Sequence, residues 1–292
     1  MAHMSNTQPK LFPAWDLASK AYRALFDNLG YAVRICWAWI LVMAGAVVAA
    51  DLIAAASGVD GSSEKSPSSF LVVLLWLVLF GALSSIAVAW HRWLLLGEKV
   101  TEVVYLRLDM RVAVYYGYAM AVFLISLAPF ALVWGVSAIM QYGGTLVFAP
   151  ADDGRTPVDI LFSQQGLLGF PLLQIAAFIV LVILTARLGV ALPARAIEAR
   201  EGSLWEAWRV TSGNSWGLFV GTGICVLPYF LLMVLIRGSG FDFSASDGSL
   251  LHILDRVSIQ ALSMLLGLVE VGFLAQCFRY FYPSSKAVIT SG

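Results

Sequence analysis

The chain has 292 residues, 60% hydrophobic and 12% charged, with a mean hydropathy of +0.83; soluble domains carry about 25% charged residues, so the apolar excess has to face lipid. Its 18 basic and 18 acidic residues cancel, and no basic strip interleaved with base-stacking aromatics is present, which argues against a nucleic-acid partner. Cys36, Cys225 and Cys277 lie far apart inside apolar runs and form neither a disulfide frame nor a metal cluster. Neither a phosphate-binding loop nor a dinucleotide fingerprint occurs, so no cofactor and no metal are expected.

Met1-Ala2-His3-Met4 reads as a cloning scar joined to a native start at Met4, and residues 1–13 as a flexible leader without a cleavable signal. From 14 to 29, Asp16, Ser19, Lys20, Arg23 and Asp27 share one face at helical spacing, and Trp15, Ala18, Tyr22, Phe26 and Leu29 the other. This predicts an amphipathic helix lying in the headgroup region, where Trp and Tyr are at home. A partner protein's groove is the competing reading.

A span needs about 20 apolar residues. Runs at 33–56, 70–91, 112–140, 167–192, 216–236 and 257–281 meet that length. The connections at 57–69, 141–166 and 237–256 hold only the basic residues Lys65, Arg155, Arg237 and Arg256. On the other side lie Lys10, Lys20, Arg23, Arg34, Arg92, Lys99, Arg107, Arg111, Arg195, Arg200, Arg209, Arg279 and Lys286. The positive-inside rule puts that side, and both termini, in the cytoplasm. Residues 14–282 therefore read as a single all-α domain of six transmembrane helices in three hairpins, and 283–292 as a flexible tail.

Each hairpin is expected to follow a charged cytoplasmic elbow. Arg92 precedes Glu98 by six positions, as Arg195 precedes Glu201, and Ala21-Tyr22-Arg23 leads to Asn28 as Ala207-Trp208-Arg209 leads to Asn214. These echoes suggest three related units. In the third elbow Gly202 breaks one helix, and Ser203-Leu-Trp205-Glu206 has the capping-box spacing that starts another. Residues 98–111 take the same place, with a looser pattern, in the second unit. Pro129 lies 18 positions after Arg111 and Pro228 lies 19 after Arg209; each removes a backbone donor within a span and predicts a bend. Trp15, Tyr22, Trp90, Trp93, Trp205 and Trp208 are expected at the interface, with Trp37, Trp39 and Trp216 in the same aromatic belt. Gly45, Ala46, Gly81, Ala82, Gly221 and Gly223 offer close helix contact or self-association.

Arg187 and Glu270 are the candidate site residues. Arg187 lies eight positions before Arg195 and Glu270 nine before Arg279, about 12 to 13 Å inside that boundary at 1.5 Å per residue. A lone charge at mid-bilayer costs at least about 2.5 kcal/mol, which makes both candidates for function. Two readings stand: a structural pair, or Arg187 snorkelling to the boundary, against a polar cavity for a lipid headgroup, ion or proton.

Other polar residues carry less. Asp51 and Gln174 are expected at the water boundary or bonded between helices. Ser239, Asp242, Ser244, Ser246, Asp247, His252 and Asp255 supply the residue types of a serine hydrolase, but no Gly-x-Ser-x-Gly elbow accompanies them. His91, in Ala89-Trp90-His91-Arg92-Trp93, has no second ligand at metal spacing and is expected to contact headgroups.

The run Pro193-Ala-Arg195-Ala-Ile-Glu198, then Ser203-Leu-Trp205-Glu206-Ala-Trp208-Arg209 and Gly213-Asn214-Ser-Trp216, together with the six-span layout, resembles uncharacterised bacterial inner-membrane proteins. These are similar to the membrane domain that accompanies some glycerophosphodiester phosphodiesterases. The resemblance implies a bacterial cytoplasmic membrane location. It carries over no catalytic residue, since that family's active site belongs to a separate soluble domain.

The expected function is non-enzymatic: a lipid-contacting, scaffolding or accessory role with membrane lipids, a homo-oligomer or a membrane partner. The alternative is transport or lipid handling through a polar cavity around Arg187 and Glu270, which an internal repeat favours.

Overall fold

A chain with this much apolar surface must satisfy its backbone polar groups internally wherever lipid replaces water, and a helix does so within one segment. The computed structural model describes residues 12–56, 69–147, 169–238 and 250–283. In chain order it has α1 (Ala14–Asp27), α2 (Leu29–Ala56), α3 (Ser69–Leu96), α4 (Met110–Val147), α5 (Gly169–Gly189), α6 (Leu192–Ala196), α7 (Leu204–Val210), α8 (Ser215–Gly238) and α9 (Leu250–Phe281). Among the described residues there is no strand. Also among the described residues, six helical stretches are long and apolar enough to cross a membrane: α2, α3, α4, α5 continued through α6, α8 and α9. The chain is thus an all-α, multi-pass membrane protein.

The hairpins α2–α3, α4–α5 and α8–α9 each pack against themselves, and α9 is the hub, lying against α1, α2, α3 and α8. Its middle and end supply Met264, Leu268, Phe273 and Phe278, all essentially inaccessible and packed around Trp90. Gly221 on α8 permits the closest approach: a Cβ there would sit 2.3 Å from the Phe273 ring. Ala82 is also fully buried, whereas a Cβ at Gly45, Gly81 or Gly223 would meet nothing within 4 Å.

Helix α1 does not spend its apolar face on lipid as expected. Leu17, Ala18, Ala21 and Leu25 are buried, and the helix packs on α8 and α9. The expected face was turned too far round the axis: the spacing 17, 18, 21, 25 forms a stripe against protein, while Trp15 and Phe26 flank it in the open, 72% and 64% exposed.

The second elbow also departs from expectation. Residues 97–109 form no helix, because Val100, Thr101, Val103 and Val104 alternate with charges and offer no helical stripe. Side chains strap the segment across α2 and α3 instead. Arg34 donates to the Thr101 carbonyl (3.2 Å), Trp37 Nε1 to that of Val103 (3.0 Å) and Ser85 to that of Arg107 (2.7 Å). Surface helices therefore precede the first and third hairpins only.

Candidate functional site

The third elbow is built as its sequence dictates. Gly202 takes φ +91°, a left-handed conformation natural to glycine, and a Cβ there would sit 2.5 Å from that of Ala194. Ser203 then accepts from the Glu206 amide (3.2 Å), while the Glu206 carboxylate accepts from the amides of Gly202 (2.7 Å) and Ser203 (3.0 Å). These amides hold the Glu206 carboxyl below its ordinary value. The capping box that starts α7 is complete.

The other end of α7 is closed from a different helix. Arg187, in the last turn of α5, donates Nε to Thr211 Oγ1 (3.0 Å) and Nη2 to the Trp208 carbonyl, with its guanidinium 3.4 Å above the Trp208 ring. Carbonyls at a helix C-terminus lack intrahelical donors and carry partial negative charge, so an arginine suits them. Arg92 does the same for α6, donating to the Ala196 carbonyl (3.1 Å) while its other nitrogens grip Glu98 (2.8 Å each). Arg279 donates to the Leu94 carbonyl near the end of α3. Three arginines thus each clamp the C-terminal end of a neighbouring helix.

The expected Arg187–Glu270 pair is not formed: Arg187 bonds to the end of α7, and no ion pair joins the two. Adjacent residues on a helix point about 100° apart, so Ala186 faces the interior cavity while Arg187 turns to α7. The predicted parallel between elbows is also incomplete. Arg92 and Glu98 form a salt bridge at 2.7 Å, but Arg195 reaches only the Glu201 backbone carbonyl (3.3 Å) and sits 4.9 Å over the Tyr118 ring. Arg209 and Glu201 are exposed.

Glu270 occupies a cavity of roughly 270 Å³ between α3, α4, α5 and α9. Ser84, Tyr115 and Thr185 also line it, and the remaining wall is apolar, including Phe123, Met264 and Leu268. Glu270 is half-buried, exposed toward the cavity, and has no hydrogen-bond or ion partner among the described residues. Behind Tyr115, and fully buried, lies His91, its Nε2 3.3 Å from the Tyr115 hydroxyl and its Nδ1 without a partner. His91 is therefore an interior group, not the expected headgroup contact, because its helix face turns toward α4. Tyr115, Ser84 and Thr185 were not anticipated; hydroxyls spaced along separate spans carry no local motif.

The expected aromatic belt divides. Trp15, Trp205 and Trp216 are 72%, 73% and 66% exposed, as residues at a membrane boundary would be. Trp90 is fully buried between Tyr31 and Trp93, and Trp39 is buried too. Trp93 is half-buried, and Trp208 is covered by Arg187. Tyr22 is not a headgroup contact either. Its hydroxyl lies 3.1 Å from the Ile224 carbonyl and 3.0 Å from that of Cys225. Ile224 is four residues before Pro228, which has no N–H to give it, so Tyr22 from α1 supplies the missing donor. Burial pushes its phenol up to about 12, so the donor proton stays in place at neutral pH.

Gln174 is exposed. The Asp51 side chain and the hydrolase-like cluster 239–255 lie outside the described side chains, as do residues 1–11 and the tail 284–292. No family model matches the chain, no curated protein matches its sequence, and no solved structure matches its fold.

Proposed function

We propose that this chain is a non-enzymatic membrane protein that takes an amphiphilic, amine-bearing ligand into the bundle at Glu270. One observation carries the reading: a carboxylate without a partner faces a cavity whose other walls are mostly apolar. An unpaired charge there is costly, and ionisable groups within spans mark ligand or ion paths by default. A ligand that brings a cationic donor and an apolar body offsets both costs. Lipid handling or transport of such an amphiphile follows from that chemistry. The distribution of basic residues supports an orientation with both termini in the cytoplasm; a bacterial inner-membrane location rests on the resemblance alone.

A second reading, scaffolding or accessory assembly, draws on the apolar flanks at the end opposite the elbows. There Leu132, Trp134, Leu172, Phe230 and Leu235 are 60% exposed or more. They suit lipid, a homo-oligomer or another membrane protein.

The test is a titration of the purified protein in mild detergent with a long-chain alkylammonium, read by native mass spectrometry. Wild type is expected to retain the ammonium at least about tenfold more tightly than Glu270→Gln, a difference of about 1.4 kcal/mol. Equal retention, with a defined oligomer in both spectra, would overturn the ligand reading in favour of assembly.

A further inference from the structure

The Glu270 cavity holds more than its carboxylate. Four helices each bring one polar side chain to its wall: Ser84 from α3, Tyr115 from α4, Thr185 from α5 and Glu270 from α9. Among the described residues no hydrogen bond joins any two of them, and Ser84, Thr185 and Glu270 have no hydrogen-bond partner elsewhere in the protein. Hydroxyls on a helix often return to a carbonyl one turn back, as Ser263 does to Ile259 (2.7 Å) and Thr211 to Ala207 (2.7 Å). Those of Ser84 and Thr185 stay free beside Glu270.

Tyr115 is oriented from behind. His91 Nε2 lies 3.3 Å from its hydroxyl, and His91 Nδ1 is buried without a partner. A proton on Nδ1 would make an orphaned buried N–H, the kind of group folded proteins most consistently avoid, whereas a bare ring nitrogen leaves only an acceptor unused. The imidazole proton therefore belongs on Nε2, donated to the Tyr115 oxygen. The tyrosine's own proton is left for the cavity.

Together these groups define a headgroup. Glu270 calls for a cation, Tyr115 for an acceptor close to it, and Ser84 and Thr185 can each donate or accept. The acceptor has to be neutral. Among the described residues no lysine or arginine lines the cavity, and Arg187 is turned away to α7, so a phosphate or carboxylate on the ligand would lie unmatched next to Glu270. A hydroxyl meets the condition, accepting from Tyr115 and donating to Ser84 or Thr185. At roughly 270 Å³ the cavity is at the small end for ligand sites and encloses a headgroup rather than a long chain. Leu83 and Phe123 in its wall are 38% and 43% exposed, which puts lipid, and room for a tail, on the α3–α4 side.

We propose that the ligand is a long-chain amino alcohol, its ammonium on Glu270 and its hydroxyls among Tyr115, Ser84 and Thr185. This ligand class deepens the amine reading of the same cavity and rests on it.

The experiment is native mass spectrometry of the full chain in mild detergent, titrated in parallel with a long-chain 2-amino-1,3-diol and the plain primary alkylammonium of the same chain length. Wild type is expected to retain the aminodiol at least about tenfold more tightly than the alkylammonium. Tyr115→Phe and Thr185→Val keep the shape of each side chain and remove its hydroxyl; in each the ratio should fall below about threefold. Glu270→Gln weakens both ligands. Equal retention of the two by wild type, with both still lost in Glu270→Gln, would overturn the amino alcohol and leave the amine reading standing. Retention of both that ignores Glu270→Gln would overturn the two together. An aminodiol advantage that survives both hydroxyl variants would also overturn the proposal, and Thr185→Val decides alone if Tyr115→Phe does not fold.

Discussion

The elbow end of the bundle and the end opposite it are made from the same apolar helices, yet side chains are packed into an interior at one and left open at the other. Along α5 and its continuation through α6, Leu172 and Leu173 are 67% and 48% exposed, whereas Ala186, Val190, Ala191 and Ala194 near the elbow are at most 3%. On α8, Leu218 and Cys225 are buried while Phe230 and Leu235 are 60% and 69% exposed. Apolar character alone does not bring helices together in lipid, because lipid tails are as apolar as the side chains. The elbow end adds what lipid cannot supply: small residues such as Gly221 that admit a ring, and arginines that bond to carbonyls on the next helix.

The largest test of this difference removes a side chain of similar kind from each end. Phe273→Ala leaves a hole under Gly221 and is expected to cost about 3 kcal/mol or more, while Leu235→Ala should stay within about 0.5 kcal/mol. Reversible unfolding in mixed micelles, followed by tryptophan fluorescence, measures both. Equal losses would mean that the two ends are packed alike.

Arg187→Met comes next. It removes the charged donors from the end of α7 and leaves the Trp208 carbonyl only the longer Thr211 hydroxyl contact (3.3 Å), for an expected loss of about 1.5–3 kcal/mol. The loss should be local, appearing first as faster amide exchange across 204–210. Arg187→Lys should recover less than half, since a lysine has neither the planar fork nor the flat face that lies on Trp208. Full rescue by lysine would show that charge alone holds the clamp.

These clamps mark where the sequence stops being informative. The six spans are legible because a run of about 20 apolar residues has few other fates, and the capping box at Ser203 and Glu206 is legible because both halves lie within one turn. The Arg92–Glu98 pairing is legible from its spacing, but the carbonyls that Arg187, Arg92 and Arg279 clamp are not, since every residue carries one. The depth of Glu270 could be counted from Arg279, but its surroundings depend on four helices far apart in the chain. The α1 stripe was misread by a partial turn because alanine is neutral enough to belong to either face. Between legible and hidden stands Pro228: a proline announces an orphan carbonyl four residues back but cannot say that Tyr22 will fill it.

That bond gives a smaller and sharper test. Tyr22→Phe keeps the ring against Phe26, removes one hydrogen bond to the Ile224 carbonyl and is expected to cost about 1 kcal/mol. In a Pro228→Ala background the new amide can reach Ile224 from within α8, so Tyr22→Phe should cost less there. Such non-additivity is what coupled neighbours show. Strict additivity would mean that the tyrosine does not serve the carbonyl that proline orphans.

The smallest effect belongs to Glu206, which closes the N-terminus of α7 from within the helix, whereas Arg187 closes the C-terminus from another helix. The amides of Ser203 and Gly202 favour the ionised carboxylate and hold its folded value below the unfolded one, so its contribution is complete above the unfolded value of about 4.3. It fades as pH falls through the lower folded value, because protonation removes the charge those amides stabilise. Glutamine retains a capping oxygen but cannot titrate. Glu206→Gln should therefore lower the melting temperature slightly at pH 7, less than Arg187→Met does, and converge on wild type as the buffer is brought below about pH 4. A gap between Glu206→Gln and wild type that is constant across that range would mean that shape, not charge, makes this cap. The local and remote closures of α7 would then differ in reach but not in kind.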